Sequence, residues 1–316
     1  MRKKVVITGG AGFIGSHIAE YWLSEGADVH IIDNLRSGNL NNIEINKGAH
    51  FHRGSITDKE LVDSVLKDCD YIHHLAALIS VPESVLSPFE CVDINVNGLL
   101  NILEAAKKYK TKKIVLSSSA AIYGDNPITP KTTDLYPAPK SPYGITKLDG
   151  EYYLAMYNEM YNVGAVSLRY FNVFGPRQDP KSQYAAAIPI FVSKAVKNET
   201  IIVYGDGEQT RDFIYVKDVV KANVKAALSD KNGVFNVASG NKISINQLIE
   251  LILKETGSSS KVEYQEERTG DIKHSLASIT ETSQQLGFKA DYDLITGLKN
   301  TINYFIDLYQ KREVSN

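Results

Sequence analysis

Cysteine is nearly absent: Cys69 and Cys91 are the two in a chain of 316 residues. A single pair excludes a disulfide framework, fits a reducing compartment, and offers no spacing from which a cysteine metal cluster could be assembled. Long apolar runs are missing too. The basic start Met1-Arg2-Lys3-Lys4 leads only into Val5 to Ile7 before glycines intervene, which is not the pattern of a signal peptide. Nothing approaches the ~20 apolar residues of a membrane-crossing helix. An excess of charge is also lacking. With 35 Lys and Arg against 37 Asp and Glu, the formal net charge is −2, so no global field favours nucleic acid or an anionic membrane as partner. The expectation is a cytoplasmic protein without nucleic acid, membrane or metal, in which any anion is held by local arginines.

What is present suits a soluble globular chain, with 43% hydrophobic and 23% charged residues and enough length for one large domain or two unequal ones. Its organising stretch is Ser117-Ser118-Ser119-Ala120-Ala121-Ile122-Tyr123-Gly124, followed by Ser141-Pro142-Tyr143-Gly144-Ile145-Thr146-Lys147. Lys113 to Leu116 reads as a buried strand that ends in serines. Ser141 and Pro142 supply the N-cap and first position of a helix. Tyr143 and Lys147, four apart, share a face of it. A phenol with a pKa near 10 is only about 0.1% ionised at neutral pH, and lowering that pKa by about 3 units takes about 4 kcal/mol of preferential phenolate stabilisation. A lysine ammonium one turn away and a positively charged nicotinamide have the right sign to supply it. Ser119 could then hold a substrate hydroxyl while Tyr143 takes its proton.

At the N-terminus, the strand Lys4 to Thr8 runs into Gly9-Gly10-Ala11-Gly12-Phe13-Ile14-Gly15 and a helix from Ser16 to about Ser24. Glycines at 9, 12 and 15 permit a tight turn, close approach of backbone to a pyrophosphate, and close helix packing. The next strand, from Asp28, ends at Asp33, an acid placed to accept the ribose hydroxyls of an adenosine. A carboxylate there favours NAD by repelling a 2′-phosphate, although Arg36 stands close by. Strand, glycine triplet, helix, strand and acid in that order predict a dinucleotide site.

Further strands are expected at His50 to Gly54, Asp70 to Leu75 and Ala165 to Tyr170. Ala76-Ala77 would let a cofactor lie against a strand end. His73 and His74 are adjacent, point to opposite faces of a strand and read as structural. Ser87-Pro88 opens a long helix with apolar residues Phe89, Val92, Val96, Leu99, Leu103 and Ala106 at helical spacing, part of which packs on the sheet. The alternation predicts an α/β fold: a Rossmann-like doubly wound parallel sheet over 1–171, to which later segments return, and a smaller C-terminal α/β substrate domain over 172–316. Five of the ten prolines lie between Gly124 and Pro142, either fixing the separation of the serine strand from the tyrosine helix or serving as a rigid connector. Arg211 and Arg268 are candidates for a diphosphate, because guanidinium forks match phosphate oxygens.

With TGGAGFIG (Thr8 to Gly15), Asp33-Asn34-Leu35, SSSAAIYG, SPYGITK, RYFNVFGPRQ (Arg169 to Gln178), Arg211-Asp212 and RTGDIKHS in place, the chain resembles an extended short-chain dehydrogenase/reductase of the UDP-hexose 4-epimerase group over essentially its full length. The resemblance implies catalytic roles for Ser119, Tyr143 and Lys147. It implies an NAD site lined by the glycine turn with Phe13 and Ile14, by Asp33 and Asn34, and by Ser55 and Ile56. Leu75, Ala76, Ala77, Asn95 and Phe171 would complete that lining together with Tyr143 and Lys147. For the UDP-sugar it implies Asn172, Val203, Tyr204, Arg211, Arg268 and Asp271. It also implies a homodimer in which the helices beginning near Pro88 and Pro142 form a four-helix bundle.

Two comparisons sort the reactions within that group. Related dehydratases carry an acid pair after the catalytic hydroxyl residue, where this chain has Ala120 and Ala121; these can neither donate nor accept a proton, so epimerisation is expected. Glucose-preferring relatives carry a bulky tyrosine where Ser275 stands, and the serine leaves room for an N-acetyl group; Ile79 and Ala186 fall at pocket walls. By this resemblance the chain is similar to UDP-N-acetylglucosamine 4-epimerases, with UDP-glucose or UDP-glucuronate 4-epimerisation as alternatives and a non-catalytic NAD-binding regulator as the reading from another class. One departure stands out: the family's Asp after the glycine of the third strand is here Ser55, whose hydroxyl can still accept a hydrogen bond.

Overall fold

Val5, Val6 and Ile7 have no exposed surface, because the strand that carries them, β1 (Lys4–Thr8), is covered on both faces and needs apolar side chains in both directions. The computed structural model describes residues 2–42, 48–180, 186–267 and 273–314. After β1 come α1 (Phe13–Ser24), β2 (Asp28–Asp33), β3 (His50–Arg53), α2 (Lys59–Leu66) and β4 (Tyr71–His74). Then follow α3 (Val81–Leu86), α4 (Pro88–Val92), α5 (Gly98–Tyr109), β5 (Lys113–Ser119), α6 (Pro142–Tyr161) and β6 (Ala165–Tyr170).

The chain leaves the sheet through β7 (Asn172–Phe174), α7 (Ala187–Val196), β8 (Ile201–Tyr204), β9 (Thr210–Arg211) and β10 (Phe213–Tyr215). It returns along α8 (Val216–Leu228) to β11 (Gly233–Val237), and ends with β12 (Ile243–Ser244), α9 (Ile245–Thr256), β13 (Val262–Gln265), α10 (Thr280–Leu286) and α11 (Leu294–Val314).

The central sheet has the order β11-β6-β5-β4-β1-β2-β3 with every neighbouring pair parallel. Ile18 and Trp22 of α1, Val219 and Val220 of α8 and Leu286 of α10 cover one face. Val62 and Leu66 of α2, Ile102 and Leu103 of α5 and Leu154 of α6 cover the other. The sheet is therefore doubly wound, as expected. Its order reverses between β1 and β4, which opens a crevice at their C-terminal ends. A separate core built from Phe174, Ile188, Val192, Ile201, Leu248, Leu298 and Phe305 holds the smaller lobe together.

Three local outcomes differ from expectation. β5 does not stop at Leu116 but runs through all three serines, because Ser117, Ser118 and Ser119 pair with Leu168, Arg169 and Tyr170 of β6. α1 begins at Phe13, directly after the glycine turn. The helix after Ser87 is divided by a π turn, Asp93–Asn97. That turn adds a residue to the repeat, so Val96, Leu99 and Leu103 are buried while Phe89 and Val92 face outward.

Candidate active site

Gly9 occupies the left-handed region at φ 71°, and a Cβ there would lie 2.8 Å from the Ala76 nitrogen. A Cβ on Gly15 would lie 2.3 Å from the Gly9 carbonyl oxygen, whereas one on Gly12 would meet only that oxygen, at 3.1 Å. Gly9 and Gly15 thus close the turn, and Gly12 leaves its outer side open. Gly12 is also the N-cap of α1, with no side-chain cap and no acid in the first turn. The free N–H groups and the positive end of the helix dipole face the crevice, a setting for a pyrophosphate.

Asp33 lies across the turn. Its Oδ2 accepts the Ala11 N–H at 3.0 Å and its Oδ1 the Leu35 N–H at 2.8 Å. Burial pushes its pKa up, and these two bonds oppose the rise. Arg36, the cation that could have served a 2′-phosphate, is instead drawn to Glu90 at 2.5 Å and Glu83 at 2.7 Å. Asn34 is exposed and accepts the Arg36 N–H at 3.0 Å. Ser55 accepts both the N–H and the hydroxyl of Thr57, at 3.2 and 2.8 Å, beside the buried Ile56. An open glycine turn, an uncapped helix end and an inward-held acid fit the diphosphate and ribose of NAD.

The opposite wall is tied down by Thr8, whose hydroxyl oxygen accepts the N–H groups of Leu75 and Ala76, each at 3.2 Å. Asn95, from the π turn, accepts the Leu78 N–H at 2.7 Å and donates to the Leu78 carbonyl at 3.1 Å and to Thr146 Oγ1 at 2.9 Å. Its carboxamide fixes the main chain of the crevice wall at Leu78. His73 accepts a hydrogen bond from Trp22 Nε1 at 2.8 Å, and His74 Nδ1 lies 2.8 Å from Thr8 Oγ1. Burial lowers the two imidazoles to about 4 and about 3, so both are neutral structural groups.

Ser119, Tyr143 and Lys147 converge at the end of β5. Ser141 caps α6 by accepting the Gly144 N–H at 3.1 Å, with Pro142 in the first turn, as the sequence predicted. The Ser119 hydroxyl lies close enough to the Tyr143 phenol to favour its ionised form. Ser119 Oγ also accepts the Ala121 N–H at 3.1 Å. Lys147 donates from Nζ to the Ser117 carbonyl at 2.7 Å and sits 5.7 Å from the centroid of the Tyr143 ring.

Burial brings Lys147 down to about 8. Burial pushes the Tyr143 phenol up, the Ser119 hydroxyl opposes this, and Cys91 adds to it. The phenol therefore needs a further positive charge at the site to ionise near neutral pH, the part expected of the nicotinamide.

Sequence reasoning missed what holds this arrangement. Ser118 donates to Glu151 Oε1 at 2.5 Å, and Arg169 forks onto the same carboxylate at 2.9 and 2.7 Å, all of it buried. The guanidinium lies 4.8 Å from the Tyr123 ring, whose hydroxyl donates to Asn236 at 2.6 Å. The network ties α6 to β5, β6 and β11. Arg169, a charge in the otherwise uncharged and fully buried strand β6, was its one visible sign.

Just beyond β6, Phe171, expected in the NAD lining, is buried in a small cluster with Tyr123, Ala238 and Ala277. Asn172 is half-buried and donates to the Asp212 carbonyl at 3.0 Å. Arg211 is half-buried and donates to the Thr210 carbonyl at 3.0 Å, while the Ser275 N–H donates to that same carbonyl at 3.1 Å. Ser275 and Arg211 are thereby neighbours across a strand edge. The organiser is Asp212, fully buried, which accepts from Ser239 N–H and hydroxyl at 2.9 and 2.7 Å, from Gly240 at 3.1 Å and from Ala277 at 3.2 Å.

Val203 sits inside the core of the smaller lobe, so only its main chain can reach a ligand. Tyr204 is half-buried beside it, whereas Ile79 and Ala186 are exposed and Ala77 is half-buried. Arg268 and Asp271 lie outside the described residues. Among the described residues no helix is long and apolar enough to cross a membrane.

The pattern of the NAD dependent epimerase/dehydratase family matches residues 5–238. A UDP-N-acetylglucosamine 4-epimerase from Methanobrevibacter ruminantium, solved in complex with UDP-N-acetylmuramic acid, is 45% identical, with a TM-score of 0.94 over 97% of this chain and 99% of that one. A UDP-glucose 4-epimerase from Thermotoga maritima, solved with UDP-glucose, is 39% identical, with a TM-score of 0.93 over 97% and 99%. A UDP-glucose 4-epimerase from Thermus thermophilus, in complex with NAD, is 34% identical, with a TM-score of 0.88 over 96% and 98%. The chain belongs to the NAD dependent epimerase/dehydratase family, as an NAD-dependent enzyme of its UDP-sugar 4-epimerase group.

Proposed function

We propose that this enzyme interconverts UDP-N-acetylglucosamine and UDP-N-acetylgalactosamine by transient oxidation at C4 of the sugar. The observation that carries 4-epimerisation is the convergence of Ser119, Tyr143 and Lys147 at the end of β5, where Ser119 is followed by Ala120 and Ala121. Ser119 holds the C4 hydroxyl, and Tyr143 takes its proton and later returns it. Bound NAD supplies the hydride acceptor and, afterwards, the hydride. Lys147 fixes the phenol's surroundings from the Ser117 carbonyl. The two alanines leave no acid–base pair for loss of water. Arg211 and Asn172 hold the nucleotide end while the 4-keto sugar turns to present its other face, and Arg268 and Asp271 are assigned to the same end.

The N-acetyl preference rests on Ser275, a small side chain carried next to Arg211, and is supported by the likeness to the Methanobrevibacter enzyme. The likeness to the Thermotoga enzyme supports UDP-glucose as a second substrate. Proton NMR of the anomeric signals, with each UDP-sugar separately and no added NAD, tests the reading. Galacto-configured product from the N-acetyl sugar is expected; no change with either sugar after NAD is supplied would sink it. Ser275→Tyr should abolish turnover of the N-acetyl sugar selectively, and equal loss for both substrates would refute the size argument.

We also infer a homodimer. Leu86 and Phe89 are 79% and 90% exposed, and Tyr152 and Met160 on the adjoining α6 are 60% and 62% exposed. Large apolar groups clustered on neighbouring helices favour burial against a second copy. Sedimentation at twice the chain mass is the expected result.

A further inference from the structure

We propose that Asp28, His30 and His50 bind a divalent transition-metal ion at the edge of the sheet, remote from the catalytic centre. β2 and β3 run parallel with His30 opposite His50 and Ile32 opposite His52. Alternate residues share a face, so Asp28, His30, His50 and His52 all project to the same side. His30 is stacked on both partners, 4.6 Å from the His50 ring and 5.2 Å from the His52 ring.

The donor atoms are spaced as ligands. Asp28 Oδ1 lies 3.3 Å from His50 Nε2, and Asp28 Oδ2 lies 3.4 Å from His30 Nε2. One such atom from each of the three residues can be chosen with all separations within 4.8 Å. Around a tetrahedral ion with bonds of about 2.0–2.1 Å, ligand atoms are about 3.3–3.4 Å apart. Each Asp28 oxygen already lies at that spacing from one imidazole, and the three chosen atoms, within 4.8 Å of one another, have to draw in by at most about 1.5 Å.

The outer contacts fit as well. His30 Nδ1 is 3.0 Å from His52 Nε2. With a metal on Nε2, Nδ1 carries the ring proton and donates it to His52, the support that a ligating histidine usually has. The Lys4 ammonium, on the neighbouring strand, is held by the Lys67 carbonyl at 2.7 Å. Two imidazoles and one carboxylate suit zinc, cobalt, nickel or copper better than magnesium or calcium.

His50 and Asp28 are 58% and 35% exposed, so an ion can enter and keep water on its remaining positions. Asp28 is five residues from Asp33 along β2, roughly 17 Å. An ion there cannot touch the reacting sugar. It would pin the edge strand β3 to β2.

The test titrates the NAD-loaded full-length enzyme with zinc by calorimetry, and with cobalt by visible absorption and paramagnetic NMR shifts of the imidazole protons. One ion per chain is expected, with shifts at His30 and His50, a higher melting temperature with zinc, and affinity at least tenfold lower in His50→Gln and Asp28→Asn. Both substitutions fall at the surface, and unchanged NAD content and circular dichroism report their folding. The proposal is overturned by no uptake at submillimolar zinc, by equal affinity in the wild type and a folded variant, or by cobalt shifts confined to other residues. Should both variants fail to fold, the wild-type shifts alone decide.

Discussion

The Asn95 carboxamide holds Leu78 by both its N–H and its carbonyl, and with its third bond it reaches Thr146 on the helix that carries Tyr143 and Lys147. One buried side chain therefore couples the loop after β4 to the catalytic helix. Asn95→Ala leaves buried main-chain groups without partners, which costs about 1–3 kcal/mol each where they stay unpaired. Denaturant melts should show a loss of that order, and chromatographic assay of the purified variant should show less retained NAD. Full NAD content at unchanged stability would refute the coupling.

Tyr143→Phe keeps the ring and deletes the proton acceptor. Turnover should fall by about 10²–10⁴, while the melting temperature and bound NAD stay at wild-type values. Residual activity within a few-fold of wild type, followed by NMR, would remove Tyr143 from the role assigned to it.

His73 and His74 make the fold acid-sensitive. Above about 6.5, their reference value, both rings are neutral in the folded and unfolded chain alike. Below it the unfolded chain takes up protons that the folded rings, lowered to about 4 and about 3, refuse. Stability is therefore complete above pH 6.5 and lost as the pH falls toward 4. At pH 5 the shortfall is about 1.5 units for each ring, or about 2 kcal/mol apiece. Melts of His73→Gln, which can still accept from Trp22, should fall less steeply between pH 6.5 and 5 than those of the wild type; parallel curves would contradict this.

Gly12 and Gly15 should separate binding from folding. Alanine at 15 presses its methyl on backbone at 2.3 Å, while alanine at 12 meets a single oxygen at 3.1 Å. Gly15→Ala should lower the melting temperature even without cofactor. Gly12→Ala should leave the NAD-free melt nearly unchanged and weaken NAD binding, as read by calorimetry on NAD-stripped protein.

The glycine turn, Asp33 and the tyrosine helix were legible because each is written locally, in periodicity, caps and spacing. Ser117 to Ser119 were not legible as strand, since serine has little intrinsic preference for it and the pairing partner lies some fifty residues away on β6. The Ser118–Glu151–Arg169 network and the four donors on Asp212 likewise join elements that only tertiary structure brings together. The π turn that exposes Phe89 adds one residue of phase, too small a shift to read from a hydrophobic stripe. Strand register hid the Asp28, His30 and His50 cluster.

The return of β11 to the sheet means that the two lobes cannot be separated by a single cut. A polypeptide stopped after Phe171 would lack β11, leaving the hydrogen-bonding edge of β6 bare where Phe235 and Val237 now lie. It would also lose α8, which covers one face of the sheet. The lobe built on the central sheet is thus completed only by chain that has already passed through the smaller lobe. In evolutionary and engineering terms, exchanging the smaller lobe between relatives requires two junctions, one on each side of the excursion from β6 to β11, and not one.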